Sequence, residues 1–267
     1  MRPVTRITVC ALAIALSPAV AACGSTRAVS VTGPSSAGAS VDPNAPVPDA
    51  KTLADDARSA YRAATSAHVH ATIDEDGVTQ TIDIHGTMDG TNQELTVKDP
   101  SSGNATLRTV DDKYYIKGNQ AFWESAAESG STTAALLADK WVLAPHGMGS
   151  GSSVSKLTIR SLLDEMLGAD ALSDSELAAM TTSRASEHGM SLYVAKGADS
   201  GDDINTFKVL ADRTNNVAEV SGKSDDGSDG TATFDGWNTQ SHVDVPKGYV
   251  TFPSSGSGSD RTTAPSI

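Results

Sequence analysis

Three histidines and one aspartate are the first residues of this chain whose types and spacing suggest chemistry. They alternate with apolar residues on both sides of Asp76-Gly77, a dipeptide typical of a two-residue hairpin turn. The register of that hairpin places His70 opposite Asp83 on the polar face. The four residues are His68, His70, Asp83 and His85.

Two interpretations of this cluster are open. Three imidazoles and a carboxylate are ligands that zinc accepts, and opposed strand residues have Cβ atoms only about 4.5–5.5 Å apart. Alternatively, the face is solvated and His70 simply pairs with Asp83. We expect the second, because a metal site is usually better buried and is supported by further hydrogen bonds. The sequence therefore predicts neither a metal nor another cofactor.

Cys23 is the other residue with a chemical signature. Basic Arg2 and Arg6 precede an apolar run that ends in small residues, the pattern of a signal peptide. The ending Val-Ala-Ala-Cys resembles the lipobox of bacterial lipoproteins, which implies a diacylglyceryl thioether on Cys23 and a membrane anchor on the extracytoplasmic face. The alternative is an ordinary secretory signal, but Cys23 would then be an unpaired thiol, because the one other cysteine, Cys10, lies inside the signal.

Composition divides the 267 residues into segments. We expect a signal peptide over residues 1–22, a lipidated and flexible linker over 23–49, one folded domain over 50–253 and a disordered tail over 254–267. The net charge of −13 repels phosphate backbones and excludes nucleic acid as a partner.

No catalytic motif is present: the Gly-x-Ser-x-Gly elbow is absent, and a phosphate loop ending at Ser224 would need glycine where Val217 stands. We therefore expect no enzyme.

The elements of the domain follow from periodicity. Apolar residues at spacings of three and four predict an opening helix over 50–67. The hairpin and further short strands come next, followed by helical segments and a second run of strands. One of these helices starts with the capping box Ser173 to Glu176. This order predicts an α+β fold with an antiparallel sheet.

The apolar face of the predicted hairpin is a candidate core or a candidate ligand surface. Aromatic residues, of which the chain has 3 Trp, 5 Tyr and 4 Phe, fit both roles.

The sequence resembles actinobacterial cell-envelope lipoproteins of the LppX/LprG type. The resemblance covers about 200 residues, and it is carried by the lipobox and by the segments at residues 66–70, 84–87, 114–117, 140–142 and 243–246. It implies a LolA-like half-barrel: a curved antiparallel sheet with helices on its concave face and an apolar cavity between them. Members of that family are associated with binding lipids or lipoglycans and moving them across the envelope.

The resemblance implies a lipid or lipoglycan ligand and gives no protein partner. The alternative is a non-catalytic envelope interaction or structural module whose interior is filled by side chains. The residues expected to line the lipid cavity are Val69, Ala71, Ile73, Ile82, Ile84, Leu95, Tyr114, Ile116, Trp123 and Trp141.

Overall fold

The computed structural model describes residues 45–126, 131–144, 157–197, 203–223 and 228–251. The expected signal peptide, the lipidation residue Cys23 and the expected tail lie outside these ranges. Within them, no helix is long and apolar enough to cross a membrane. The helices are α1 (Ala50–Ala63), α2 (Gln120–Ala126), α3 (Ser131–Leu137), α4 (Ile159–Leu167) and α5 (Asp174–Ala179).

The strands of the described residues form one open, 12-stranded sheet in the order β12-β6-β5-β4-β3-β2-β1-β11-β10-β9-β8-β7. Neighbouring strands are antiparallel except β12 and β6, which are parallel. The predicted α+β half-barrel with helices on one face is confirmed. The strands are β1 (Ser66–Glu75), β2 (Val78–Thr87), β3 (Gln93–Asp99), β4 (Gly103–Val110), β5 (Lys113–Gly118), β6 (Trp141–Leu143), β7 (Thr181–Glu187), β8 (Met190–Lys196), β9 (Asp203–Leu210), β10 (Val217–Lys223), β11 (Asp229–Asp235) and β12 (Val250–Thr251).

The β1–β2 hairpin has the predicted register. Glu75 lies opposite Val78, His70 opposite Asp83 and His68 opposite His85. The turn residues Asp76 and Gly77 both have positive φ, 50° and 79°. These are the angles of a type I′ turn, whose twist matches that of the flanking strands.

Helices α1 and α4 cover the inner face of the sheet and hold each other's carboxyl-terminal ends. Arg58 of α1 is buried and donates to the carbonyl oxygens of Leu167 (2.6 Å), Gly168 (3.1 Å) and Leu172 (3.0 Å). In return, Arg160 of α4 donates to the carbonyl oxygen of Arg62 at 3.0 Å. A helix end leaves carbonyl groups without intrahelical partners. Arg58 satisfies carbonyl groups that would otherwise be buried and unpaired, and Arg160 satisfies one at an exposed position.

The other helix ends are capped locally. The Asp49 side chain accepts from the backbone N–H of Thr52 at 2.7 Å, which starts α1 at Ala50. The predicted capping box of Ser173 and Glu176 is confirmed at the start of α5.

A strap formed by residues 236–251 crosses the outer face of the sheet, from the end of β11 to β12, the edge strand that pairs with β6. Asn92 fastens its middle: the backbone N–H of Val243 donates to Asn92 Oδ1 (2.8 Å), and Asn92 Nδ2 donates to the Val243 carbonyl (2.9 Å). The strap covers an outer cluster, which consists of Val110, Tyr115, Trp141, Leu143 and Val243.

The structure differs from the sequence expectations in three places. The opening helix is shorter than the predicted 50–67, because Ala64 is an extended C-cap: α1 ends at Ala63 and β1 begins at Ser66. Around Phe122-Trp123 the sequence favours a loop between two extended segments. Instead α2 forms there, because Asn119 Oδ1 accepts from the backbone N–H of Phe122 at 2.9 Å and caps the helix. The linker was expected to reach Asp49, yet Val47 packs against the core and Arg184 donates to the Ala45 carbonyl at 2.7 Å.

Candidate functional site

The inner face of the sheet is organised in rows that cross the strands, because directly opposed residues of paired strands share a face. One row lies beneath the helices and is made of large apolar side chains, all of them 8% exposed or less. This buried row consists of Phe234, Val69, Ile84, Leu95, Leu107, Ile116 and Val142. All members of this row belong to the inner hydrophobic core.

The next two rows, toward the β1–β2 turn, are built from smaller residues. The first of them, the trough row, consists of Ala232, Ala71, Ile82, Val97, Ala105 and Gly118. Beyond Ala232 the same row continues into Val220 and Phe207, which are large and buried. The second, the end row, consists of Ile204, Gly222, Gly230, Ile73 and Gln80. Ala71, Val97, Ala105 and the whole end row are partly exposed.

We call these two rows together the inner trough. Alanine and glycine take several of the places that leucine and phenylalanine hold in the buried row, and the partly exposed apolar members of the trough pack against the inner core. The lining of the trough is almost entirely apolar. Partly exposed apolar groups on several adjacent strands form the kind of surface that ligands with hydrocarbon chains cover.

Nine of the ten residues expected to line a cavity lie on the inner side. Val69, Ile84, Leu95 and Ile116 belong to the buried row, whereas Ala71, Ile73 and Ile82 belong to the inner trough. Tyr114 is partly exposed at the opposite end of the strands, and Trp123 of α2 is buried in the inner core.

Trp141 is the exception, because it lies on the outer face. Its neighbour there is Arg108, whose guanidinium carbon lies 4.9 Å from the indole centroid. Strand β6 has only 3 residues, so no alternation of apolar and polar residues indicates which of its faces points inward. The aromatic character of Trp141 did not indicate the inner face either, because the strap covers a second apolar cluster on the outer face.

Helix α2 closes the trough at its β5 side. A Cβ on Gly118 would collide with the ring of Phe122, and a Cβ on Gly103 would collide with the backbone of the same helix. These two glycines let α2 lie directly on β4 and β5. The Trp123 ring packs edge-on against Phe122, with ring centroids 5.2 Å apart.

Two buried side-chain atoms on the inner side have no hydrogen-bond partner among the described residues: Trp123 Nε1 and Gln93 Oε1. Leaving a buried polar group unpaired costs about 1–3 kcal/mol. The sequence carried no signal for either, since burial of a polar atom depends on the packed neighbours.

On the outer face, the histidine cluster forms a hydrogen-bonded network. The ring nitrogens of His68 lie 3.1 Å from Asp83 Oδ2 and 3.0 Å from Asp235 Oδ1. His70 Nδ1 lies 3.3 Å from Asp83 Oδ2, and the His85 ring stands edge-on to His68 at 6.4 Å. Asp235 is the member that the sequence reasoning missed, because β11 is distant in sequence.

The carboxylates determine the charge of this network. Burial alone would lower the pKa of His68, but the hydrogen bonds to Asp83 and Asp235 outweigh it and raise the pKa above its usual value of 6.5. For Asp83, burial acts upward, but the hydrogen bonds from His68 and His70 outweigh it and lower the pKa below 3.8. In the described part of the chain, no three His, Cys, Asp or Glu residues are arranged to hold a metal ion.

A polar groove of about 370 Å³ lies beside this network, between the strap and β2–β4. Its walls are His85, Glu94, Arg108 and strap residues 239–244. Arg108 forms an ion pair with Glu94 and donates to the Asp244 carbonyl at 3.2 Å. The positive charge of Arg108 is therefore paired by groups of the groove itself.

The open antiparallel sheet with helices on its inner face defines an α+β half-barrel, and comparison with solved structures finds similar proteins. The lipoprotein LppX of Mycobacterium tuberculosis is similar, with 15% identity, a TM-score of 0.42, and coverage of 73% of this chain and 99% of LppX. LprF of Mycobacterium bovis is similar at 13% identity and a TM-score of 0.44, covering 75% of this chain and 98% of LprF. At these identities the similarity concerns the fold alone. No protein-family model and no curated protein matches the chain.

Proposed function

We propose that this protein is a non-catalytic lipoprotein that binds the acyl chains of a lipid or lipoglycan in the inner trough. The observation that carries the proposal is the change in side-chain size along the inner face. Large buried residues fill the end beneath α1 and α4, and alanine and glycine leave a partly exposed apolar surface at the other end. Burying apolar surface contributes about 25 cal/mol per Å², so a long acyl chain gains substantially by covering it.

The anchor is a separate part of the proposal. An acylated Cys23 holds the domain at the extracytoplasmic face of the cell membrane, where the trough meets lipids and carries them across the envelope. The Cys23→Ala chain is expected to lose partitioning into detergent, because no acyl chains remain to enter it. Cys10→Ala is the matched control and retains partitioning. Equal partitioning of the Cys23→Ala chain and the wild type would exclude the anchor.

The trough is tested by filling it. Ala71→Trp places a large ring among the small residues of the trough row, whereas Thr72→Trp places the same ring on the outer face of the same strand. In chains that also carry Cys23→Ala, Ala71→Trp is expected to fold and to retain less lipid after purification, as measured by mass spectrometry of organic extracts. Thr72→Trp is expected to retain as much lipid as its parent.

The second candidate function is an envelope interaction module with a filled interior. The completely buried row beneath the helices favours it for that half of the inner face. In a filled interior, Ala71→Trp is overpacking and destabilises the fold by about 1–3 kcal/mol. Unfolding of that variant, together with no lipid on the parent chain, would select this second function.

A further inference from the structure

The indole N–H of Trp123 is a hydrogen-bond donor held without a partner inside the inner core. Trp123 is 3% exposed, and its Nε1 has no acceptor within the described residues. Buried indole N–H groups usually find an acceptor. Trp237 does so, since its Nε1 donates to the Val217 carbonyl at 3.1 Å.

The position of Trp123 relates this donor to the trough. Helix α2 lies directly on Gly103 and Gly118, and Gly118 is the last residue of the trough row. The partly exposed Ala105 lies on the same face of β4, two residues along from Gly103. Trp123 therefore belongs to the helix that ends the trough.

The other unpaired atom, Gln93 Oε1, lies elsewhere. Gln93 stands where β3 begins, away from the β1–β2 turn, and its Nε2 donates to the Leu157 carbonyl at 3.0 Å. Its amide thus fastens the segment before α4, and we assign it no ligand.

We infer that Trp123 Nε1 donates a hydrogen bond to a carbonyl oxygen of the bound lipid, so that the trough selects acyl esters and amides over chains that lack a carbonyl. This inference rests on the proposed lipid-binding function. An indole is a donor without acceptor capacity, so it matches an acceptor atom. A neutral carbonyl fits a single neutral donor among apolar side chains, whereas a phosphate or carboxylate would bring a charge that this surrounding does not pair.

Two lipids that differ only in the carbonyl provide the test. Monopalmitoylglycerol has an ester at the point where 1-O-hexadecylglycerol has an ether, and the chain lengths match. Binding of each is measured by displacement of a fluorescent fatty-acyl probe from the full chain carrying Cys23→Ala. We expect the ester to bind about 3- to 10-fold more tightly than the ether, the effect of one neutral hydrogen bond.

The variant Trp123→Phe removes the N–H and keeps an aromatic ring. It is expected to weaken ester binding about 3- to 10-fold and to leave ether binding unchanged. Trp141→Phe, on the outer face, is the matched control and changes neither affinity. Equal loss of both lipids in Trp123→Phe would mean that the ring only packs, and it would overturn the inference.

A second measurement does not depend on the variant folding. In the NMR spectrum of the otherwise unmodified Cys23→Ala chain, the Trp123 indole proton is expected to move downfield on adding the ester and not on adding the ether. Equal affinities and equal shifts for the two lipids would overturn the inference while leaving lipid binding intact. Failure of both lipids and of the probe to bind would overturn the proposed function itself.

Discussion

Individual residues of the outer face show how closely a local pattern determines contacts. A single Asp-Gly turn and strict alternation were sufficient to place His70 across from Asp83, because each step along a strand reverses the face. The same reasoning could not supply Asp235, which reaches His68 from a strand 167 residues away in sequence. It could not supply the unpaired Trp123 Nε1 either, because that property depends on what the folded chain packs around the indole.

The network around His68 makes the stability of the domain depend on pH. Because the pKa of His68 is higher in the folded state, its protonated form stabilises the fold below pH 6.5, and the contribution is lost as the pH rises through the folded-state value. Asp83 has a lowered pKa, so its contribution persists above pH 3.8 and is lost only in more acidic solution. We expect the urea midpoint to be higher at about pH 6 than at about pH 8.

His68→Gln is expected to reduce that difference, because glutamine hydrogen-bonds but does not titrate. The exposed His242 in the strap is the matched control, and His242→Gln should preserve the difference. If His68→Gln changes the midpoint by the same amount at both pH values, protonation of His68 does not stabilise the fold.

At the scale of elements, strands and capped helices were predictable, and short or irregular segments were not. Ser173 and Glu176 predicted the start of α5, because a capping box is formed by residues that are close in sequence. Helix α2 has only the turn after Gly118 and the cap at Asn119 to mark it, and seven residues are too few for a clear amphipathic period. The inward or outward direction of β6 depends on its pairing with β5, which no local pattern encodes.

Arg58 gives a prediction at this scale, since one side chain joins α1 to the end of α4. Arg58→Met keeps the length of the side chain but leaves the carbonyl groups of Leu167, Gly168 and Leu172 without their donor. We expect a loss of about 3 kcal/mol in the free energy of unfolding, the scale of removing one partner from a buried polar network. Urea denaturation measures it.

The control lies one helical turn further along α1. Arg62 is exposed, with 58% of its side chain accessible, and its ion pair with Asp164 is 3.9 Å long. Arg62→Met should cost less than about 1 kcal/mol, as for other surface ion pairs. Similar losses for the two variants would show that Arg58 contributes only charge.

At the scale of the whole molecule, the strap joins parts of the chain that are far apart in sequence. Asn92 holds Val243 through two hydrogen bonds across 151 residues, and the outer cluster of Tyr115 and Trp141 depends on that cover. Sequence periodicity indicated an α+β fold with an antiparallel sheet because strands and helices are local, and the half-barrel was implied by the family resemblance. It could not indicate the strap, whose residues follow no period and whose contacts join a side chain to distant backbone.

Asn92→Ala removes both hydrogen bonds that fasten the strap. We expect a loss of about 1–3 kcal/mol in the free energy of unfolding and faster hydrogen exchange at the Val243 amide. Asn104→Ala, at an exposed site on β4, should change neither quantity. Unchanged exchange at Val243 in Asn92→Ala would mean that the strap is held by its apolar contacts instead.

The pairing of β1 with β11 has a consequence for the order in which the protein is made. A ribosome delivers β1 early, and its hairpin partner β2 follows at once, but the second edge of β1 waits for Asp229–Asp235. Until then the nascent chain presents an uncovered edge strand, the usual starting point for association between molecules. A chain ending at Lys223 should therefore elute as aggregates on size exclusion, whereas the full chain should not. Strand β11, which is synthesised long after β1, would then protect the edge of the first strand.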